Sequence, residues 1–177
     1  MRRFAATLLI SVALVSSLDA TTVLPLSFTQ LVNESSSIVF GRVVDVRGQW
    51  SDDRRFIESV VSIDVMRGIK GGAGEQVSFT IPGGQLGRYV NVIPGAPTFA
   101  IGDVAVVFLT SRGARLPITT GFTQGVYRAQ RDGAGDWQVM PPVIDTQGRI
   151  VRGDPRRKAL SLTAFEASVK GAMVAAR

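Results

Sequence analysis

Ser37-Ile38-Val39-Phe40-Gly41-Arg42-Val43-Val44-Asp45-Val46 is the stretch that decides how this chain folds. Its period is two. Ile38, Phe40, Arg42, Val44 and Val46 fall on one face of an extended segment, and Val39, Gly41, Val43 and Asp45 on the other. Both faces are largely apolar, so the strand is long and mostly buried. Gly41 in its middle marks a bulge or a sharp bend, as at the corner of a barrel.

The same period continues downstream. Ile57, Ser59, Val61, Ile63 and Val65 alternate with Glu58, Val60, Ser62, Asp64 and Met66. A Gly-rich turn over 68–74 leads to a third strand marked by Val77, Phe79 and Ile81, which Pro82-Gly83-Gly84 ends. Tyr89 to Ile93 reads as a short strand before the turn Pro94-Gly95-Ala96-Pro97. Val104 to Leu109 is unbroken and apolar, as a central strand buried on both faces must be. Thr119 to Gln130 reads as one strand with Gly121 and Gly125 inside it. Asp132-Gly133-Ala134-Gly135-Asp136 is a hairpin turn leading to a strand over 137–140.

Helices flank the strands. Ser27-Phe28-Thr29-Gln30 has the form of a capping box, and a short helix over about 28–34 follows it. A final amphipathic helix over 163–177 shows Leu162, Phe165, Val169, Met173 and Ala176 at spacings of three and four, with Thr163 to Glu166 as a second capping box. Nothing alternates strand with helix, so a parallel sheet is not expected. The expected fold is mainly β: a small antiparallel, OB-like barrel over 21–142, a connection over 143–162, and a C-terminal helix packed on the barrel. Closure of the sheet removes edges open to aggregation.

Residues 1–20 read as a secretory signal peptide. Arg2 and Arg3 precede an apolar run from Phe4 to Val15, and Ser16 to Ala20 then turn small and polar. The run is too short to span a membrane, which takes about 20 residues. The expected destination is the periplasm or the extracellular space, with no transmembrane segment after cleavage.

Composition excludes more than it assigns. The chain has no His and no Cys. Ser–His–Asp and Cys–His catalysis, the usual zinc sites and the common haem and iron–sulfur ligand sets cannot be built from it. No phosphate-binding Gly-rich loop followed by Lys and Ser or Thr occurs. No cofactor is expected. Carboxylate pairs remain as the basis for a hydrolase of envelope polysaccharide, with Glu58, Asp64 and Asp103 the acids to inspect. The chain carries a net charge of +6, and its only lysines are Lys70, Lys158 and Lys170, so an Arg-rich surface is expected. That surface suits a protein or an anionic envelope component as partner. Nucleic acid is not expected, because no stacked-aromatic motif accompanies the charge.

The candidate binding surface lies in two long connections with aromatics and Arg beside a rigid scaffold. One holds Trp50, Arg54 and Arg55. The other holds Arg88 and Tyr89 within 85–97. The function read from the residues is therefore a non-enzymatic, macromolecule-binding barrel.

Several segments, taken in order, carry a resemblance. They are Ser37 to Val44, Val61 to Val65 with Gly68-Ile69-Lys70-Gly71, Val77 to Gly84, Pro97 to Asp103 and Val106 to Leu109. Together they resemble a group of uncharacterised bacterial exported proteins over about residues 26–130. Their order is also similar to the netrin-like barrel of the tissue inhibitors of metalloproteinases, in which a Phe-x-x-Gly segment precedes an apolar strand, as Phe99-Ala100-Ile101-Gly102 does here. The resemblance implies an OB-like barrel and raises protease inhibition as an alternative function. The inhibitors use an N-terminal Cys and a set of disulfides that this chain lacks, so no site residue carries over.

Overall fold

The protein is described here by a computed structural model that covers residues 25–146, 149–152 and 158–175. The expected signal peptide lies outside the described residues.

The chain is mainly β. Helix α1 (Phe28–Glu34) leads into two 14-residue strands, β1 (Ser37–Trp50) and β2 (Ile57–Lys70), which pair antiparallel along their whole length. Strand β3 (Gln76–Pro82) continues the sheet beside β2. A small hairpin follows, β4 (Gly84–Leu86) with β5 (Tyr89–Asn91). Strand β6 (Val104–Arg112) returns to pair with the first half of β1, and β7 (Arg115–Thr119) pairs back onto β6. One parallel contact, Thr80 with Ile118, joins β7 to β3.

Five strands therefore form a ring in the order β1, β2, β3, β7, β6 and back to β1. The seam between β3 and β7 is a single residue pair, so the ring is barrel-like and not closed. This partly open five-stranded form is the OB-like architecture.

A second layer grows from β6. Over Ala105–Val107 its outer edge pairs with β8 (Val126–Arg131), which pairs in turn with β9 (Trp137–Met140). Strands β10 (Val143–Thr146) and β11 (Arg149–Arg152) form a separate hairpin. A two-residue strand β12 (Leu160–Ser161) closes on β9 just before helix α2 (Leu162–Val174).

Alternation on β1 and β6 builds two cores at once. Val39, Val43, Ala105, Val107 and Leu109 point into the ring, where they meet Val61, Ile63, Phe79 and Ile81. Ile38, Phe40, Val104, Val106 and Phe108 point outward and are covered by α1 and α2 through Leu31, Val32, Leu162, Phe165 and Val169. A strand read as unbroken and apolar is thus buried on both sides because helices cover its second side. Phe28, Phe108, Tyr127 and Phe165 stack edge-on or tilted, with centroids 5.1–6.3 Å apart.

Gly41 is where the strand bends. The β1–β2 register shifts between Phe40 and Gly41, and an added Cβ there would lie 2.3 Å from the Asp64 carbonyl. A further shift between Val43 and Asp45 resets the alternation, so Val46 packs against the ring interior although the simple period puts it on the other face.

Four expectations change. The single strand over 119–130 is two strands. Gly121, at φ 64°, opens a 3-10 turn over Phe122–Gly125, and a Cβ on Gly125 would strike the Thr120 carbonyl at 2.2 Å. The connection over 143–162 contains the β10–β11 hairpin and β12. Helix α2 is capped by Ser161, which accepts from the Ala164 amide, and not by a box starting at Thr163. Ala172, not Met173, follows Val169 in its buried stripe, and Ala176 lies outside the described residues. The first capping box forms as read, with Ser27 and Gln30 bonding reciprocally.

Candidate functional site

The far end of the β1–β2 ribbon carries the exposed features. Here the two strands have left β6 behind and project with one cleft on each face. Gln49 stands opposite Glu58, and its amide donates to the Glu58 carboxylate at 2.8 Å on the outer face. Gly48 stands opposite Ser59 on the inner face.

The β4–β5 hairpin lies across that inner face as a flap. Its base is Gly83-Gly84, with φ of 86° and 145°, conformations that only Gly adopts without strain. Ser59 donates to the Gly83 carbonyl at 2.9 Å and anchors the base. The flap presses so closely on β1 that a Cβ on Gly48 would sit 1.9 Å from the Gln85 carbonyl oxygen. At its tip, Tyr89 packs against Trp50 with ring centroids 6.3 Å apart. The Arg88 guanidinium lies 5.2 Å from the Tyr89 ring centroid and donates to the Tyr89 hydroxyl at 3.1 Å. Trp50 and Tyr89 remain 45 % and 52 % exposed, and Val90 and Val92 beside them 64 % and 79 %.

Arg54 and Arg55 sit on the adjoining β1–β2 turn. Arg54 adopts a left-handed conformation with φ of 56°, rare outside Gly, Asn and Asp. The turn is held by Ser51, whose hydroxyl donates to Asp53 at 2.7 Å while its backbone receives the Arg54 amide. That hydroxyl, followed by the Arg55 amide, keeps the Asp53 carboxyl below its ordinary value of 3.8. The structure therefore gathers Trp50, Arg88 and Tyr89 into one cluster and leaves Arg54 and Arg55 on the exposed turn next to it.

The outer cleft, about 450 Å³, lies between the β1–β2 turn and the β6–β7 turn. An ion pair of 3.3 Å between Asp52 and Arg115 bridges the two turns. Arg112 crosses the open β3–β7 seam to donate to the Thr80 hydroxyl at 2.9 Å. Phe56 and Leu116 add exposed apolar surface. Arg112, Arg115 and Leu116 do not stand out in the sequence because the short strand β7, with Pro117 inside it, shows no clear alternation, and Phe56 is a lone aromatic in the β1–β2 turn. The pattern Arg112-Gly113-Ala114-Arg115 was the available signal.

Of the three acids named for hydrolysis, Glu58 and Asp64 do not converge, and Asp103 is engaged in an ion pair. Glu58 and Asp64 are six residues apart on one strand, about 20 Å at strand rise, beyond the spacing of glycosidase pairs. Asp103 pairs with Arg128 at 2.5 Å and accepts from the Ala100 amide, which holds the turn before β6. Among the described residues no group of three or more potential metal ligands occurs, and no helix is long and apolar enough to cross a membrane.

Fold and surface together define a class: a partly open OB-like barrel whose sheet extends into a helix-covered layer, with a flap across one ribbon end. No protein-family model, curated protein or solved structure matches the chain.

Proposed function

We propose that this protein is an exported, non-enzymatic binding module that holds a protein or an anionic envelope component at the end of its β1–β2 ribbon. One observation carries the reading: Trp50, Tyr89 and Arg88 form an exposed aromatic–guanidinium cluster on a base locked by Gly48, Ser59 and Gly84. Aromatics and Arg dominate the energetics of macromolecular interfaces, because they bury large area at low entropic cost and bring directed donors. A rigid scaffold below them limits the ordering cost of association. The neighbouring β1–β2 and β6–β7 turns are the loops that bind ligands in barrels of this order. The chain has neither His nor Cys, and its strand acids are dispersed, which favours binding over catalysis.

The test is a comparison of two affinity matrices exposed to the same envelope extract, one bearing the protein and one bearing the Trp50→Ala/Tyr89→Ala variant. A component retained by the first and lost from the second supports the reading. Identical profiles, with the variant folded by circular dichroism, overturn it.

A further inference from the structure

The inner cleft has a different chemistry from the rest of the ribbon end. It is an open cleft of about 380 Å³ between the flap and the ring interior, within the range of small-molecule sites. Val46, Ile81, Phe99 and Ile93 line it, with the largely exposed Val90 and Val92 at its open rim. Phe99 is fixed from both sides: it meets Phe79 edge-on at 5.5 Å, and Arg128 lies 4.9 Å from its ring centroid. Of its four polar side chains, Ser59 and Gln85 are turned to backbone, to the Gly83 and Gly87 carbonyls, which leaves Asn91 and Thr98 among an otherwise apolar lining. The wall thus offers branched aliphatic carbon and little directed hydrogen bonding. The flap across it rises from a paired-glycine base, and its tip carries Arg88 on a chain of net charge +6.

From the aliphatic lining and the cationic flap tip we infer that this cavity takes a free, medium-length fatty acid, with its alkyl chain under the flap and its carboxylate at the mouth. The apolar chain supplies the binding energy, about 0.8 kcal/mol for each methylene removed from water. The positive balance of the protein favours an anionic end group.

Isothermal calorimetry on the full protein tests this with hexanoate, octanoate and decanoate below their micellar concentrations. Kd is expected to fall about fourfold for each added methylene, so about 15-fold from octanoate to decanoate. Val46→Phe and Ala96→Leu, which fill the cavity from two sides, are each expected to weaken decanoate at least tenfold, whereas Leu116→Ala in the outer cleft leaves it unchanged. Equal affinity for all three acids, affinity that survives both filling variants, or no heat at millimolar decanoate overturns the inference. So does retention on phosphatidylglycerol vesicles without decanoate binding, which would assign the apolar flap to a membrane surface instead. Because these readouts do not involve the macromolecular partner, failure here leaves the binding-module reading standing, and the converse holds.

Discussion

Gly48 shows how much one missing side chain decides. The flap rests on β1 only because nothing projects from that position, and an added Cβ would meet backbone rather than a movable side chain. Gly48→Ala is therefore expected to lift the β4–β5 hairpin while leaving the ring intact. The measurement is trypsin cleavage after Arg88, which should accelerate severalfold with little change in the global melting temperature. A second residue-scale consequence lies in the β8–β9 turn. Asp132 accepts from the Gln138 side chain, the Asp136 amide and the Ala134 amide, and these bonds hold its carboxyl below the ordinary 3.8, the Gln138 bond most strongly. A depressed carboxyl stabilises the turn above its unfolded-state value and loses that contribution as pH falls through the folded value. A carboxyl-carbon NMR titration should place the Asp132 midpoint below 3.8, and Gln138→Ala should move it upward. A midpoint at or above 3.8 in the unmodified protein would contradict the hydrogen-bonded turn. The two acids flanking the paired glycines were legible as a turn from sequence. Gly48 was not, since its reason is a contact with Gln85, 37 positions away.

At the scale of elements, strands were more legible than their ends. β1, β2, β3 and β6 follow from alternation or an unbroken apolar run, because burial on one or two faces leaves that imprint directly. The bend at Gly41 was readable too. What failed was the local break: Gly121 and Gly125 sit among residues of strand-like composition, and only the left-handed φ of Gly121 and the crowding at Gly125 separate β7 from β8. β10 to β12 carry no alternation strong enough to announce themselves. The start of α2 gives a sharp test, since two hydroxyls compete for the cap. Ser161→Ala is expected to cost about 1 kcal/mol, the usual loss of a helix N-cap, whereas the exposed Thr163→Ala should stay within about 0.5 kcal/mol of the parent. Urea unfolding of the two variants decides it, and a larger cost at Thr163 would return the cap to the box read from sequence. Lys70 closes the other helix. Its ammonium donates to the Val32 and Ser35 carbonyls at 2.5 and 2.7 Å, using the end of β2 to satisfy the end of α1.

For the whole molecule, the division of labour follows from two-sided burial. The first half of β1 and residues 104–109 of β6 are consumed by two cores, so neither stretch is free to bind anything. The second half of β1 escapes β6, and its end with β2, the flap and two turns remains available. Among the described residues no helix residue lines either cleft there. Part of this surface was visible beforehand, because Trp50, Arg54, Arg55, Arg88 and Tyr89 lie in or at the edge of two long connections between the main strands. Their grouping was not, because it depends on the flap folding back across Gly48. The most direct test replaces single residues by the photoreactive analogue p-benzoylphenylalanine in the living cell. Position 89 on the flap should yield a discrete cross-linked adduct, and position 170, on the exposed face of α2, should yield none. Adducts from position 170 alone, or from neither position in a folded and exported protein, would contradict placement of the binding surface at the ribbon end.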